Sequence, residues 1–361
     1  MTADAKLAAN RANSKKSTGP STEKGKRASS QNARPYGLSS QTLPLIAAAS
    51  ANVMINLNLV NARPTAGFSL LLAAFLLNSC SIKRLAVNTL GNTLSKGSST
   101  FAKDDDPELV GDAVPFALKT IESLIEQSPK HRGLLTAACS GFAQYSYAFV
   151  EQRADFIEAQ DLAHATEMRA RAKKLYLRAR DYGMRGLEVE LPGFRDRLRS
   201  DPDAALRKAT KKTVPLLYWT ASAWAAAFAL DITDSELSVR QTSIEKMMTR
   251  ALELNESWDL GALHDFFISW EAGHASAGGS MAKARQHYLR SRELSAGKRV
   301  SPLVTYAESV LVSQQRKQEF EAVLAEAIQF DITKAPPEQK LANVISQRRA
   351  RWLLSRVDEL F

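Results

Sequence analysis

Four short segments of this chain end alike and return at nearly even steps: Arg178-Ala179-Arg180, Arg250-Ala251-Leu252-Glu253-Leu254-Asn255, Arg290-Ser291-Arg292-Glu293-Leu294 and Ala325-Glu326-Ala327-Ile328. Counted between the small residues Ala179, Ala251, Ser291 and Ala327, the steps are 72, 40 and 36 residues, the first being twice 36. A unit repeating at such a length is one supersecondary element, which buries its apolar face only against its neighbours. The stretches between the endings are helical in pattern. Leu118, Ile121, Leu124 and Ile125 fall on one side of a helix, with Lys119, Glu122 and Glu126 elsewhere on it. Asp104-Asp105-Asp106-Pro107-Glu108 supplies the acidic residues and the proline that suit a first turn, and Ser128-Pro129 stops the same helix. A second helix is expected from Gly133 to Phe149. Nothing after Cys80 reads as a strand.

Some of these helices are rich in small residues. Leu217-Tyr218-Trp219-Thr220-Ala221-Ser222-Ala223-Trp224-Ala225-Ala226-Ala227-Phe228 is the clearest case, and small side chains let neighbouring helices approach closely. The expected fold is all-α: a tetratricopeptide-like irregular α-solenoid of helical hairpins, about four pairs, each near that repeat's period of roughly 34 residues.

A formal net charge of +10 invites a nucleic-acid or anionic-membrane partner. The charges are unevenly placed, however. Nine of the 48 basic and two of the 38 acidic residues precede Cys80, leaving 39 and 36 beyond it, a net of +3. No nucleic-acid partner is expected, and Arg348-Arg349-Ala350-Arg351 reads as a solvated or docking face. Arg63, the apolar run Leu70-Leu71-Leu72-Ala73-Ala74-Phe75-Leu76-Leu77 and the small residue before Cys80 have the layout of a signal peptide. That run is far short of the roughly 20 residues that span a bilayer. Leu77-Asn78-Ser79-Cys80 resembles the lipobox of bacterial lipoproteins, which implies lipidation of the Cys80 thiol and cleavage just before it. Counted from Met1 the leader would have 79 residues, but from Met54 it has 26, inside the usual range of roughly 15–30. Translation is therefore expected to start near Met54. The expected organisation is 1–53 as a disordered upstream extension, 54–79 as the signal peptide and 80–361 as the helical-repeat domain. The second cysteine, Cys139, lies among Ala and Gly and reads as a small buried apolar residue.

No phosphate-binding Gly-rich loop, zinc-type spacing or nucleophile elbow occurs, so no catalytic residue, metal or cofactor is expected. Glu271 with His274, and Asp161 with His164, place a carboxylate and a histidine on one helix face, as di-iron bundles do. One pair has Asp, in very polar surroundings, and both read as solvated faces. His264 and Asp265 are adjacent and point apart on a helix, so the histidine reads as a link between helices. Tyr145, Tyr218, Trp219, Trp224, Phe266, Phe267 and Trp270 are the candidates to line an apolar ligand path or pore, because the first helix of each pair commonly faces the concave side. The alternative is that these rings fill the space between helices.

Ser81-Ile82-Lys83-Arg84-Leu85-Ala86-Val87-Asn88, Phe101-Ala102-Lys103-Asp104-Asp105-Asp106-Pro107-Glu108-Leu109-Val110, Cys139-Ser140-Gly141-Phe142-Ala143-Gln144-Tyr145, Leu175-Tyr176-Leu177-Arg178-Ala179-Arg180-Asp181-Tyr182-Gly183 and Val214-Pro215-Leu216-Leu217-Tyr218-Trp219-Thr220-Ala221 together resemble the TatT family. These are the lipoprotein components associated with tripartite ATP-independent periplasmic (TRAP) transporters. The resemblance implies cryptic tetratricopeptide-like motifs, a homotrimer with a pore, a periplasmic solute-binding subunit as partner, and a hydrophobic, organic-acid or lipid-like solute. Among single residues only Cys80 inherits a family role. The expected function is that of a lipid-anchored periplasmic accessory component of TRAP transport. The alternatives are an envelope scaffold in outer-membrane assembly and a helical metalloenzyme. Ser81 is not the acidic residue that signals inner-membrane retention, which favours the outer membrane for the anchor.

Overall fold

Side chains that accept amide protons mark where several of the helices begin. The computed structural model describes residues 100–361 apart from 275–277, and no strand occurs among them. Asp106 accepts from the amides of Glu108 and Leu109 and Pro107 follows it, opening α1 (Pro107–Gln127), which ends at Ser128 as its sequence predicts. The next helix overruns its expected end at Phe149. α2 (Arg132–Tyr145) passes through a π-helical stretch, Ser146–Glu151, into α3 (Gln152–Ile157). Nothing in the sequence stops it before Asp161, which caps α4 (Leu162–Glu190) by accepting from the His164 amide at 2.9 Å.

The short α5 (Phe194–Ser200) and α6 (Pro202–Leu206) lead to α7 (Val214–Ala229), α8 (Ser235–Ser238) and α9 (Gln241–Leu254). Then come α10 (Ala262–Gly273), α11 (Met281–Ser295) and α12 (Ser301–Tyr306), the last continued by a second π-helical stretch, Ala307–Leu311. α13 (Lys317–Gln329), α14 (Lys340–Ser355) and α15 (Val357–Leu360) complete the chain. α2 packs beside α4, α7 beside α9, α10 beside α11 and α12 beside α13. The four small residues that mark the sequence period, Ala179, Ala251, Ser291 and Ala327, fall in α4, α9, α11 and α13 and are all 0% exposed.

Close approach explains why small residues recur. A Cβ on Gly183 of α4 would lie 2.0 Å from Thr220 Oγ1 of α7 and 2.8 Å from Cys139 Sγ of α2. Glycine inside a helix costs about 1 kcal/mol relative to alanine, and here that cost is offset by three helices meeting. Cys139 is fully buried, and burial pushes its thiol up to about 12. The apolar interior forms two clusters that meet at α10, which turns Leu263 and Phe267 to the first and Ile268 and Ala272 to the second. Burying a side chain such as Phe320, at 0% exposed, contributes about 1.5–3 kcal/mol.

The last long helix returns to the first. Lys340 Nζ lies 2.6 Å from Asp105 Oδ2, and Arg348 Nη1 lies 2.8 Å from Glu108 Oε1. The Phe156 and Trp352 rings sit 5.5 Å apart between α3 and α14. Arg349 corrects the reading of its run as a solvated face. Only 7% exposed, it pairs with Asp155 of α3 at 2.7 Å and with Glu308 of the second π-helical stretch. Two carboxylates make its burial tolerable.

Candidate functional site

Both π-helical stretches face this closure. In each, an amide reaches back five residues, Gln152 N–H to Tyr147 C=O and Val312 N–H to Ala307 C=O at 3.2 Å. Such bulges re-aim side chains and recur at functional sites. The first carries Tyr147 and Glu151, the second Glu308, and α14 brings Arg349 between them. Tyr147 shows 46% of its surface to solvent, yet burial, followed by the Glu308 charge, pushes its phenol up to about 12. Part of the Tyr147 ring is thus exposed while its hydroxyl borders the charges of Glu308, Arg349 and Glu151.

Glu151 accepts a hydrogen bond from the hydroxyl of the buried Tyr176. Burial raises its carboxyl to about 7; the neighbouring Asp155 and Glu308 also raise it, while the Tyr176 bond and Arg349 work against the shift. Burial opposes the charge on Arg349, but Glu308 and Asp155 outweigh it and hold the guanidinium above its ordinary pKa. Arg169 completes the network, 2.7 Å from Asp155 and 2.8 Å from Glu158. The cluster thus brings one phenol beside a carboxyl that titrates at about 7.

The candidate rings fall into separate groups. Tyr218 meets Trp219 edge-on at 4.9 Å and Trp258 at 4.6 Å. Burial, then Asp265, holds the Tyr218 phenol above its ordinary pKa. Trp258 opens a turn in which Asp259, Leu260 and Gly261 all have positive φ, at 46°, 55° and 87°. Non-glycine residues persist there only where surroundings over-determine them, and Gln339 holds Asp259 by a 2.7 Å bond. On α10, Phe266 stacks on Trp270 at 5.3 Å and Phe267 on His287 at 5.0 Å. Tyr145 leans on Phe149 at 5.7 Å. Trp224 stands apart beneath the Arg180 guanidinium, 5.4 Å from it. All except Phe267 and Trp224 are partly exposed.

The polar pairs resolve into structural links. His264 bonds His287 through Nδ1 at 2.7 Å and Glu256 through Nε2 at 3.1 Å, joining α10 to α11. Asp265 turns the other way, accepting from Arg299 and Ser291 at 2.5 Å and from Ser301 at 2.8 Å. His274 stacks on Trp270 and bonds Gln241 at 2.7 Å, whereas Glu271 accepts from the Ser280 amide at 2.9 Å. His164 is exposed beside Glu167. No group of three or more potential metal ligands occurs among the described residues. Glu151, Asp155, Glu308, Arg299 and Arg349 are absent from the candidates read from sequence. Their partners lie far off in the chain, and no local pattern marks them. Cys80 and the leader lie outside the described residues.

The architecture defines an all-α protein of paired helices whose last long helix returns to its first. More narrowly, the chain belongs to the TRAP transporter T-component family, whose sequence model matches residues 103–361. It is also 31% identical over 301 residues to an uncharacterized protein of Treponema pallidum (strain Nichols), across 78% of this chain and 93% of that one. The family is one of transport accessories rather than enzymes.

Proposed function

We propose that this accessory of TRAP transport is a tetratricopeptide-like α-solenoid that docks a periplasmic solute-binding subunit and takes up a hydrophobic or organic-acid solute. The carrying observation is the family match over 103–361 together with the cluster of Tyr147, Glu151 and Arg349 inside those bounds. The repeat reading is supported by the four buried small residues at period positions. An anchor is supplied by Cys80, lipidated and held on the periplasmic face of the outer membrane; no helix among the described residues is long and apolar enough to cross a membrane. Leu109 and Phe116, 60% and 80% exposed and seven residues apart on α1, favour a further subunit contact, as a homotrimer requires. The protein acts by binding and presenting, without bond making. The test is a pull-down from detergent-solubilised envelopes with a C-terminal tag. Recovery of a solute-binding subunit is expected, and recovery of outer-membrane assembly proteins alone would replace this reading with the envelope scaffold.

A further inference from the structure

A cleft lies where α4, α5, α7 and α9 meet, with a volume of about 220 Å³. Four arginines line it, Arg180, Arg195, Arg199 and Arg240, against the single carboxylate of Asp181. Arg180 is engaged, with Nε and Nη2 at 3.0 and 2.7 Å from Asp181 Oδ1. The guanidinium groups of Arg195, Arg199 and Arg240 make no hydrogen bond or ion pair among the described residues. The nearby carboxylate of Glu188 does not neutralise them in contact, because its oxygens accept from the amides of Gly193 and Arg195 at 2.5 and 3.0 Å.

Three features turn this cluster into a built site. Arg195 and Arg199 are four residues apart on α5, so both lie on one face of it. Arg240 immediately precedes α9, a 14-residue helix with no side-chain cap, and Ser243 from its first turn also lines the cleft, so the positive end of that helix adds to the arginines. Trp224, only 8% exposed, lines the same cleft, and its buried indole N–H has no acceptor. An N–H left so is costly unless something completes it.

We propose that this cleft binds a phosphate-type oxyanion. Four guanidinium groups and one carboxylate leave an excess of three positive charges, which a dianionic phosphate answers better than a single carboxylate. Guanidinium groups meet phosphate oxygens through paired N–H donors, and the Trp224 ring with Met184 and Leu198 gives the attached group an apolar wall. The phosphate is carried either by a soluble phosphorylated molecule or by a phospholipid headgroup.

The test uses the mature chain and inorganic phosphate at constant ionic strength, read by tryptophan fluorescence and by calorimetry. Vesicles of phosphatidylglycerol and of phosphatidylcholine are floated in parallel. The variants are Arg195→Gln with Arg199→Gln, and a charge-matched control, Lys130→Gln with Arg351→Gln. Saturable binding is expected, weakened on the order of tenfold by the cleft pair and unchanged by the control pair, with identical thermal unfolding. Binding of free phosphate alone identifies a soluble ligand. Binding of phosphatidylglycerol but not phosphatidylcholine vesicles, lost in the cleft pair, identifies a headgroup. Failure to bind either phosphate or anionic vesicles overturns the proposal, as does equal binding by both variant pairs.

Discussion

Replacing Glu151 by Gln tests the description of the Glu151 cluster most directly. The carboxyl is raised from 4.5 to about 7, chiefly by burial, so the native chain binds a proton that the unfolded chain has released between those values. The contribution of that proton to stability is complete below about pH 4.5 and is lost as the pH rises through about 7. Holding the ionised form inside the fold costs up to about 3 kcal/mol. Glutamine keeps an acceptor for the Tyr176 hydroxyl and removes the ionisation. Glu151→Gln is therefore expected to match or slightly trail the wild type near about pH 4.5 and to exceed it by about 2–3 kcal/mol near about pH 8. Urea unfolding followed by circular dichroism across that range measures the gap. Taking the difference between the two chains cancels groups that titrate in both, His287 among them. A gap that does not widen with pH would refute the account of Glu151 as a buried, protonated carboxyl.

Gly183→Ala places a methyl 2.0 Å from Thr220 Oγ1, and a loss of about 1–3 kcal/mol is expected in urea unfolding; an unchanged midpoint would mean that the three helices separate freely there. Asp265→Ala leaves Arg299, with 8% side-chain exposure, without its carboxylate, for a loss of about 3–5 kcal/mol. Adding Arg299→Met should recover much of it, and no recovery would show that Asp265 acts through its serine contacts instead. His287 is held down to about 4 by burial, with His264 and Lys283 adding to the effect. Its stabilising contribution is present above its ordinary 6.5 and is lost as the pH falls through about 4. His287→Gln should flatten the acid limb of the stability curve, and a limb of unchanged slope would contradict the neutral assignment.

Local signals were legible where one segment suffices to state them. Asp106-Pro107 opens α1 and Ser128 closes it, as read from sequence. The period counted at Ala179, Ala251, Ser291 and Ala327 marks residues that all have no exposed surface. The π-helical stretches escaped because an extra residue in a helix leaves no breaker in the sequence. Only the neighbours that hold Tyr147 and Glu151 reveal it. Arg349 was misread for a related reason: among three arginines in four residues its neutralising partners are invisible, since Asp155 lies 194 positions away. The aromatic residues stood out in the sequence, but spacing alone could not divide Trp224 from Tyr218, which lie on one helix and meet different partners, Arg180 for the first and Trp219 with Trp258 for the second.

The return of α14 to α1 also sets an order of events during synthesis. The bonds Arg349–Asp155 and Arg348–Glu108 span 194 and 240 positions, whereas each helical pair is made from adjacent segments. Pairs are able to form one after another as the chain emerges, since their loops are short and closing them costs little entropy. The cluster around Glu151 has no Arg349 until nearly the last residues have left the ribosome. Until then Asp155 has only Arg169, and Glu308 lacks the Arg349 guanidinium that pairs with both carboxylates. The nascent chain thus passes through a state that is helical and mostly packed but lacks the ion pairs of α14, and a chain cut short before α14 is trapped in that state.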